Sequence, residues 1–324
     1  MHRHLLRTVM AISVAVGIGI ADAGSAAYPE RPVRIVAASA PGGGTDIIAR
    51  LLANKLSEVL KQQAIVDNRA GGGGQIATDT VAKAAPDGYT LLVQGNGISY
   101  TTYLYKKLPF DVKRDVVAVT MVGSQPFVLA VHPSVPATSI AELVQLAKAK
   151  PGELRFSSGG IGGSSHLGTE LLRYRAGVDM LHVPYKGTGP GVTAILNREV
   201  HLGMAGVGTV LPHSQGGKLR ALAVTGAKRS PAAPDLPTIA ENGLPGYAYD
   251  VWYGLFAPAN TPRDVLARIN AAATEALRDP ETVKRFAAAG VDVMGGGVEE
   301  SNRYLRTEMA TWEKVIREAG IRAD

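Results

Sequence analysis

Apolar positions along this chain follow two alternating rhythms. Short apolar, mostly β-branched runs at 33–38, 65–66 and 90–94 read as buried strands. After the first of them, Ile47, Ile48, Leu51, Leu52 and Leu56 form one stripe of a helix over about 45–60. A second helix is expected from the glycines at 71–74 to about 84, ahead of the turn Pro86-Asp87-Gly88. The alternation resumes with a strand at 127–131. The capping box Ser139-Ile140-Ala141-Glu142 then opens a helix to about 150. A helix from 166 to about 176 and a strand at 181–183 follow, and another strand lies at 251–256. Thr261-Pro262 and Asp279-Pro280 each pair an N-cap residue with proline at the first helical position. They predict helices over 262–278 and 280–289, before a last one over 299–319. Strands alternating with helices predict an α/β fold with parallel sheets covered by helices.

Glycine-rich segments lie between these strands and helices. Gly42, Gly43, Thr45, Leu51 and Leu52 recur as Gly162, Gly163, Ser165, Leu171 and Leu172, a constant offset of 120, with Asp46 falling on His166. The match is short, but it predicts two lobes of one topology, each feeding a glycine loop into a helix N-terminus. Glycine lets a ligand approach the backbone, and the unpaired first N–H groups of a helix point outward at the positive end of its dipole. Two such loops face to face would hold a carboxylate without arginine or lysine. Neither loop carries the lysine of a P-loop. Gly72-Gly73-Gly74-Gln75-Ile76-Ala77 matches G-x-G-x-x-A, but Gln94, Gly95 and Asn96 stand where a dinucleotide site needs an acid.

The composition narrows the chemistry further. At roughly 150 residues per domain, 324 residues predict two domains. A chain with no cysteine has no disulfide, thiolate nucleophile or Cys-ligated metal. The net charge of +6 is spread without a run of five like charges, which argues against a nucleic-acid footprint. The seven histidines form no H-E-x-x-H motif, so neither metal nor cofactor is expected. His166, in the first turn of its helix, reads either as a ligand contact or as a helix-start residue. No G-x-S-x-G elbow occurs, and Ser164 or Ser165 cannot pair with the adjacent His166, because successive helical residues do not face each other. Trp252 and Tyr253, in an apolar strand, read as core.

Residues 1–27 have the form of a secretory signal. Arg3 and Arg7 precede an uncharged, mostly apolar run of twelve from Val9 to Ile20, and Ser25-Ala26-Ala27 supplies small residues for cleavage. Such a run rises about 18 Å as a helix, short of the ~30 Å of a bilayer core. Export to the periplasm with cleavage after Ala27 is expected.

Several segments together resemble the substrate-binding proteins of tripartite tricarboxylate transporters, the Bug receptors. They include Tyr28-Pro29-Glu30-Arg31-Pro32, Ala40-Pro41-Gly42-Gly43-Gly44-Thr45-Asp46, Asp67-Asn68-Arg69 and Lys83-Ala84-Ala85-Pro86-Asp87-Gly88-Tyr89-Thr90. Tyr105-Lys106-Lys107-Leu108-Pro109, His182-Val183-Pro184-Tyr185-Lys186-Gly187, Gly217-Lys218-Leu219-Arg220-Ala221-Leu222-Ala223-Val224, Leu236-Pro237-Thr238 and Gly243-Leu244-Pro245-Gly246 continue the series. The resemblance implies a two-lobed, flytrap-like periplasmic-binding-protein fold with mostly parallel sheets flanked by helices. One lobe would comprise 28–122 plus 252–324, the other 123–251.

The resemblance also implies a monomeric receptor that delivers a small organic acid to integral-membrane transporter subunits, with no catalytic residues. The ligand positions carried over are Gly43, Gly44, Thr45 and Asp46 on one side and Gly162, Ser164, Ser165 and His166 on the other. Gln75, Asn96 and Tyr185 are further candidates. Many members have Phe-Asp-Asn or similar where this chain has Met204-Ala205-Gly206, so Ala205 implies a ligand without an ammonium group. Two other functions fit the sequence. One is a periplasmic sensor handing its ligand to a signalling partner; the other is a secreted hydrolase acting through His166 with Asp46.

Overall fold

Val33–Ala37 forms strand β1 and runs through the first glycine loop into helix α1, Gly44–Leu60. Ile48, Leu52 and Leu56 of the predicted stripe are fully buried, each stabilising the fold by about 1.5–3 kcal/mol. β2 (Ala64–Asn68), a 3-10 turn at Gly72–Gly74, α2 (Gln75–Ala82) and β3 (Thr90–Gly95) complete a block in which β1 lies parallel to both neighbours. The computed structural model describes residues 28–322, so the cleavage expected after Ala27 falls outside it.

Two short helices, α3 (Gly97–Leu104) and α4 (Val112–Asp115), lead into β4, Val116–Val131. A second block follows: α5 (Ile140–Ala149), β5 (Arg155–Ser158), α6 (Ser164–Ala176), β6 (Leu181–Pro184), α7 (Thr188–Leu196) and β7 (Leu202–Gly206). α8 (Val207–Gln215) and β8 (Arg220–Val224) close it. The chain returns through β9 (Asp250–Pro258) to α9 (Arg263–Arg278), α10 (Pro280–Ala288), β10 (Asp292–Gly295) and α11 (Val298–Ala319). These last helices pack on the first block, α9 and α10 against α1 and α11 against α3.

The strand order is β2-β1-β3-β9-β4-β7-β5-β6, with β8 and β10 also paired to β4. Pairings within each block are parallel, whereas every pairing of β4 and β9 is antiparallel. The sheets are therefore mixed rather than mostly parallel. The reason is topological: the chain leaves the first block along β4 and comes back along β9, so the two run in opposite directions. β4 pairs with β9 as far as Pro126 opposite Asp250, then from Phe127 onward with β7 and β8. The pairing of the first block thus reaches past 122 on β4.

Two of the predicted helix starts have the expected chemistry. Ser139 Oγ accepts from Glu142 N, and Asp279 Oδ2 accepts from Thr282 N at 2.9 Å with Pro280 at the first helical position. Thr261 does not cap α9. Its hydroxyl donates to Pro258 O at 2.8 Å, and Pro262 takes the cap position.

Candidate functional site

The two glycine loops have the same construction at the offset of 120. Gly43 N–H donates to Ala40 O and Gly163 N–H to Gly160 O, at 3.0 and 2.9 Å. Gly42 and Gly162 both take left-handed backbone, with φ of +76° and +74°. Gly43 and Gly163 are the N-caps of α1 and α6, and neither helix has a side-chain cap. Asp46 and His166 are the third residues of these helices, and both side chains turn back on their own loop. Asp46 Oδ2 accepts from Gly42 N at 2.9 Å, and His166 Nδ1 accepts from Gly162 N at 3.2 Å.

Both groups are held in the protonation state that accepts. Burial pushes the Asp46 carboxyl up, but hydrogen bonds from Arg50, Gly42 and Asn68 outweigh it and hold it below the usual carboxylate range. Burial, helped by His182 and Arg173, pushes His166 down to about 3, so its imidazole is neutral. Its ring stacks on His182 at 4.2 Å. His182 Nε2 lies 2.6 Å from Ser158 Oγ, which accepts from Gly160 N. This stack is the floor under the second loop.

The loops meet across a cleft. Ala40 N–H donates to Lys186 O at 3.0 Å, Gly44 N–H to Thr188 Oγ1 at 3.3 Å, and the Tyr105 hydroxyl to Ile161 O at 2.8 Å. Gly73 lies directly on the second loop, where a Cβ would come within 2.6 Å of Gly162 C and 2.7 Å of Gly163 N. Between the loops is a cavity of ≈ 50 Å³. That is room for about four water-sized groups, the scale of a carboxylate with little else.

Ser39, Gly44, Thr45 and Gln94 line one side, Ser164, Ser165 and Thr188 the other, and Tyr253 an end, with no Asp, Glu, Lys, Arg or His among the lining residues. The leading amides of both helices have no carbonyl acceptor in their own helix. Gly44 N–H goes to Thr188 Oγ1, Asp46 N–H to Ser39 Oγ and His166 N–H to Gly163 O, which leaves the amides of Thr45, Ser164 and Ser165 for a ligand. Ser165 Oγ accepts from Gly159 N at 2.8 Å, and Ser39 Oγ accepts from Asp46 N at 3.1 Å, which stiffens the walls. The arrangement suits an anion held by neutral dipoles.

Of the residues singled out from sequence, Gly44, Thr45, Ser164 and Ser165 come together on this cavity, while Gly43 and Gly162 shape the loops behind it. Asp46 and His166 serve their loops and do not line the cavity. Asn96 is fully buried, with Nδ2 donating to the Tyr249 hydroxyl and to Asp250 O, both at 3.2 Å. Gln75 begins α2 away from the lining. Tyr185 borders a separate hollow beside Pro41 and Gly42, where its hydroxyl donates to Glu199 at 3.3 Å. Ala205 packs in an apolar core with Val128, Val192 and Val224, so the inference drawn from it about an ammonium group does not reach the cavity.

Sequence reasoning passed over Ser39, Gln94, Thr188 and Tyr253. Thr188 directly follows the resemblance segment that ends at Gly187, and Gln94 enters the sequence reading only as the missing dinucleotide acid. Tyr253 was read as core from its apolar strand. It is indeed buried, but its hydroxyl reaches the cavity, where Gln125 Nε2 donates to it at 2.7 Å.

Comparison with known proteins finds relatives over most of the chain. The family model described as "Tripartite tricarboxylate transporter family receptor" matches residues 48–321. Protein BugT of Bordetella pertussis is 38% identical over 315 residues, covering 95% of this chain and 97% of BugT. The structure of R. palustris Rpa4515 with adipate is similar at a TM-score of 0.87 and 37% identity, over 90% of this chain and 98% of that one. MatC (Rpa3494) from Rhodopseudomonas palustris with bound malate is similar at a TM-score of 0.83 and 31% identity, over 89% of this chain and all (100%) of that one. Among the described residues no helix is long and apolar enough to cross a membrane. The chain belongs to the tripartite tricarboxylate transporter receptor family.

Proposed function

We propose that this chain is a periplasmic solute receptor that closes two lobes over a small organic carboxylate and delivers it to the membrane subunits of a tripartite tricarboxylate transporter. The lobes are 28–122 with 252–324 and 123–251, hinged where β4 and β9 pass between the blocks, and the receptor acts as a monomer. One observation carries the reading: two uncapped helix N-termini face each other across a cavity whose lining has no charged side chain. Neutral donors aimed from both sides fit an ionised carboxylate, the group presented by the adipate and malate of the similar receptors. No acid lines the cavity to hold an ammonium, which favours a dicarboxylate or aromatic acid over glutamate or aspartate; the ≈ 50 Å³ takes one carboxylate head, and the body of such a ligand would need the lobes further apart than they stand here. A hydrolase working through His166 and Asp46 gains no support, because each side chain is committed to its own loop.

Mass spectrometry of ligand released on denaturation, with a thermal-shift panel of acids, tests the proposal. A ligand binding only the folded state stabilises it by about 2.7 kcal/mol at a hundred times its Kd. Stabilisation by a non-amino acid is expected. Stabilisation by amino acids alone would overturn the ligand class, and catalytic consumption of a bound compound would overturn the receptor reading.

A further inference from the structure

We propose that Gln125 is a positioning residue that makes the Tyr253 hydroxyl a hydrogen-bond donor to the ligand, so that this pair selects an ionised carboxylate over the corresponding primary amide. The inference rests on the carboxylate-receptor reading and assigns it a selectivity device outside the glycine loops. Gln125 is on β4 opposite Val251, one residue before the last pairing with β9, and is 4% exposed. Gly206 leaves room for its amide: a Cβ there would be 3.0 Å from Nε2 and 3.1 Å from Oε1. Nε2 donates to the Tyr253 oxygen at 2.7 Å, and Oε1 has no partner.

The opposite amide orientation would let Oε1 accept from Tyr253 but would leave both N–H groups of Nε2 without an acceptor. With Nε2 toward Tyr253 one N–H is unpaired rather than two, and buried unpaired donors are rarer than under-satisfied carbonyls, so this orientation is favoured. Once its oxygen accepts from Gln125, the phenol has one hydrogen left to give. Burial pushes this phenol up to about 12, so it keeps that hydrogen at neutral pH. The hydroxyl lies 3.1 Å from where a Gly44 Cβ would be, at the head of α1 and on the cavity. It thus adds an O–H donor beside the α1 amides, on a strand independent of both loops. A carboxylate offers two charged acceptor oxygens, whereas an amide offers one neutral carbonyl and sets its N–H groups against the remaining donors.

Isothermal titration of wild type, Tyr253→Phe, Gln125→Leu and the double variant tests this. The probes are the best-binding acid of adipate, malate, succinate and benzoate, and its primary amide. Tyr253→Phe is expected to weaken the acid roughly ten- to 150-fold, the loss of one hydrogen bond to a charged group, and the amide only about two- to tenfold, the loss of a neutral one. Gln125→Leu should weaken the acid more than the amide in the wild-type background and add nothing for either probe in the Y253F background. A merely structural Gln125 would instead weaken both probes in both backgrounds and overturn the assignment. Wild-type binding with an unchanged acid-to-amide ratio in Y253F overturns this proposal and leaves the receptor reading standing. Failure of wild type to bind any of the four acids counts against both.

Discussion

Replacing Gly73 by alanine separates cleft closure from folding. A Cβ at Gly73 would meet backbone of the second loop, Gly162 C at 2.6 Å and Gly163 N at 2.7 Å, and no rotamer change can move those atoms aside. Gly73 also has a φ of +62°, which costs an L-residue about 1–2 kcal/mol by itself. Gly177, at the end of α6, supplies a matched control: its φ is +61° and a Cβ there meets nothing within 4 Å. Both alanine variants should therefore lose about 1–2 kcal/mol against denaturant in the absence of ligand. The clash adds an overpacking cost of about 1–3 kcal/mol, but only while the loops are together, because opening the cleft relieves it. Titration with the bound acid should then show Gly73→Ala weakened about five- to 150-fold relative to Gly177→Ala. Equal affinities in the two variants would refute the argument. So would a far larger loss of unfolding free energy in Gly73→Ala, since the contact would then belong to the rigid core.

Two further outcomes are expected. Burial holds His166 and His182 at about 3 and about 4, against 6.5 for an ordinary histidine. Between roughly pH 6.5 and pH 4 the unfolded chain therefore binds more protons than the folded one, and stability falls as the pH drops, by up to about 1.4 kcal/mol per unit for each ring. Urea unfolding at pH 7.5 and 5 should show this fall, and His166→Gln, which keeps an acceptor for Gly162 N–H, should flatten it; an identical slope in the variant would count against the assignment. N-terminal sequencing of protein from the periplasm should begin at Tyr28, whereas a cytosolic pool retaining Met1 would contradict export.

The elements read best from sequence were those with local physical signals. Asp279-Pro280 and the Ser139 capping box bond as their chemistry requires, and the short repeat recurs in the turn bonds of the two loops and in the contacts of Asp46 and His166 back to them. Thr261-Pro262 has the same spelling as Asp279-Pro280, yet tertiary context turns the threonine hydroxyl to Pro258 O. The direction of Asp46 and His166 was readable in principle, because a polar third residue of a helix commonly reaches back to the N–H groups at its start. The sequence reading sets that competitor beside the ligand contact for His166 but not for Asp46. The facing of Ala205 and the reach of Tyr253 depend on strand register across β4, β7 and β9. Nothing local in the chain sets that register.

The walls of the cavity belong to two bodies of chain joined by β4 and β9, and all of them are uncharged. An anion there has no counter-ion to escape from. In the proposed receptor, convergence would hold it: amides of α1 from one side, amides of α6 and Thr188 from the other. Rotating the blocks apart divides those donors between two faces and lets water take the vacated positions, so neither face alone keeps much of the affinity. Under the proposed two-lobe reading, release would require a change of angle and no chemistry or competing charge. A membrane partner that only pries the blocks apart would receive its cargo, and ionic strength would have little influence on the exchange.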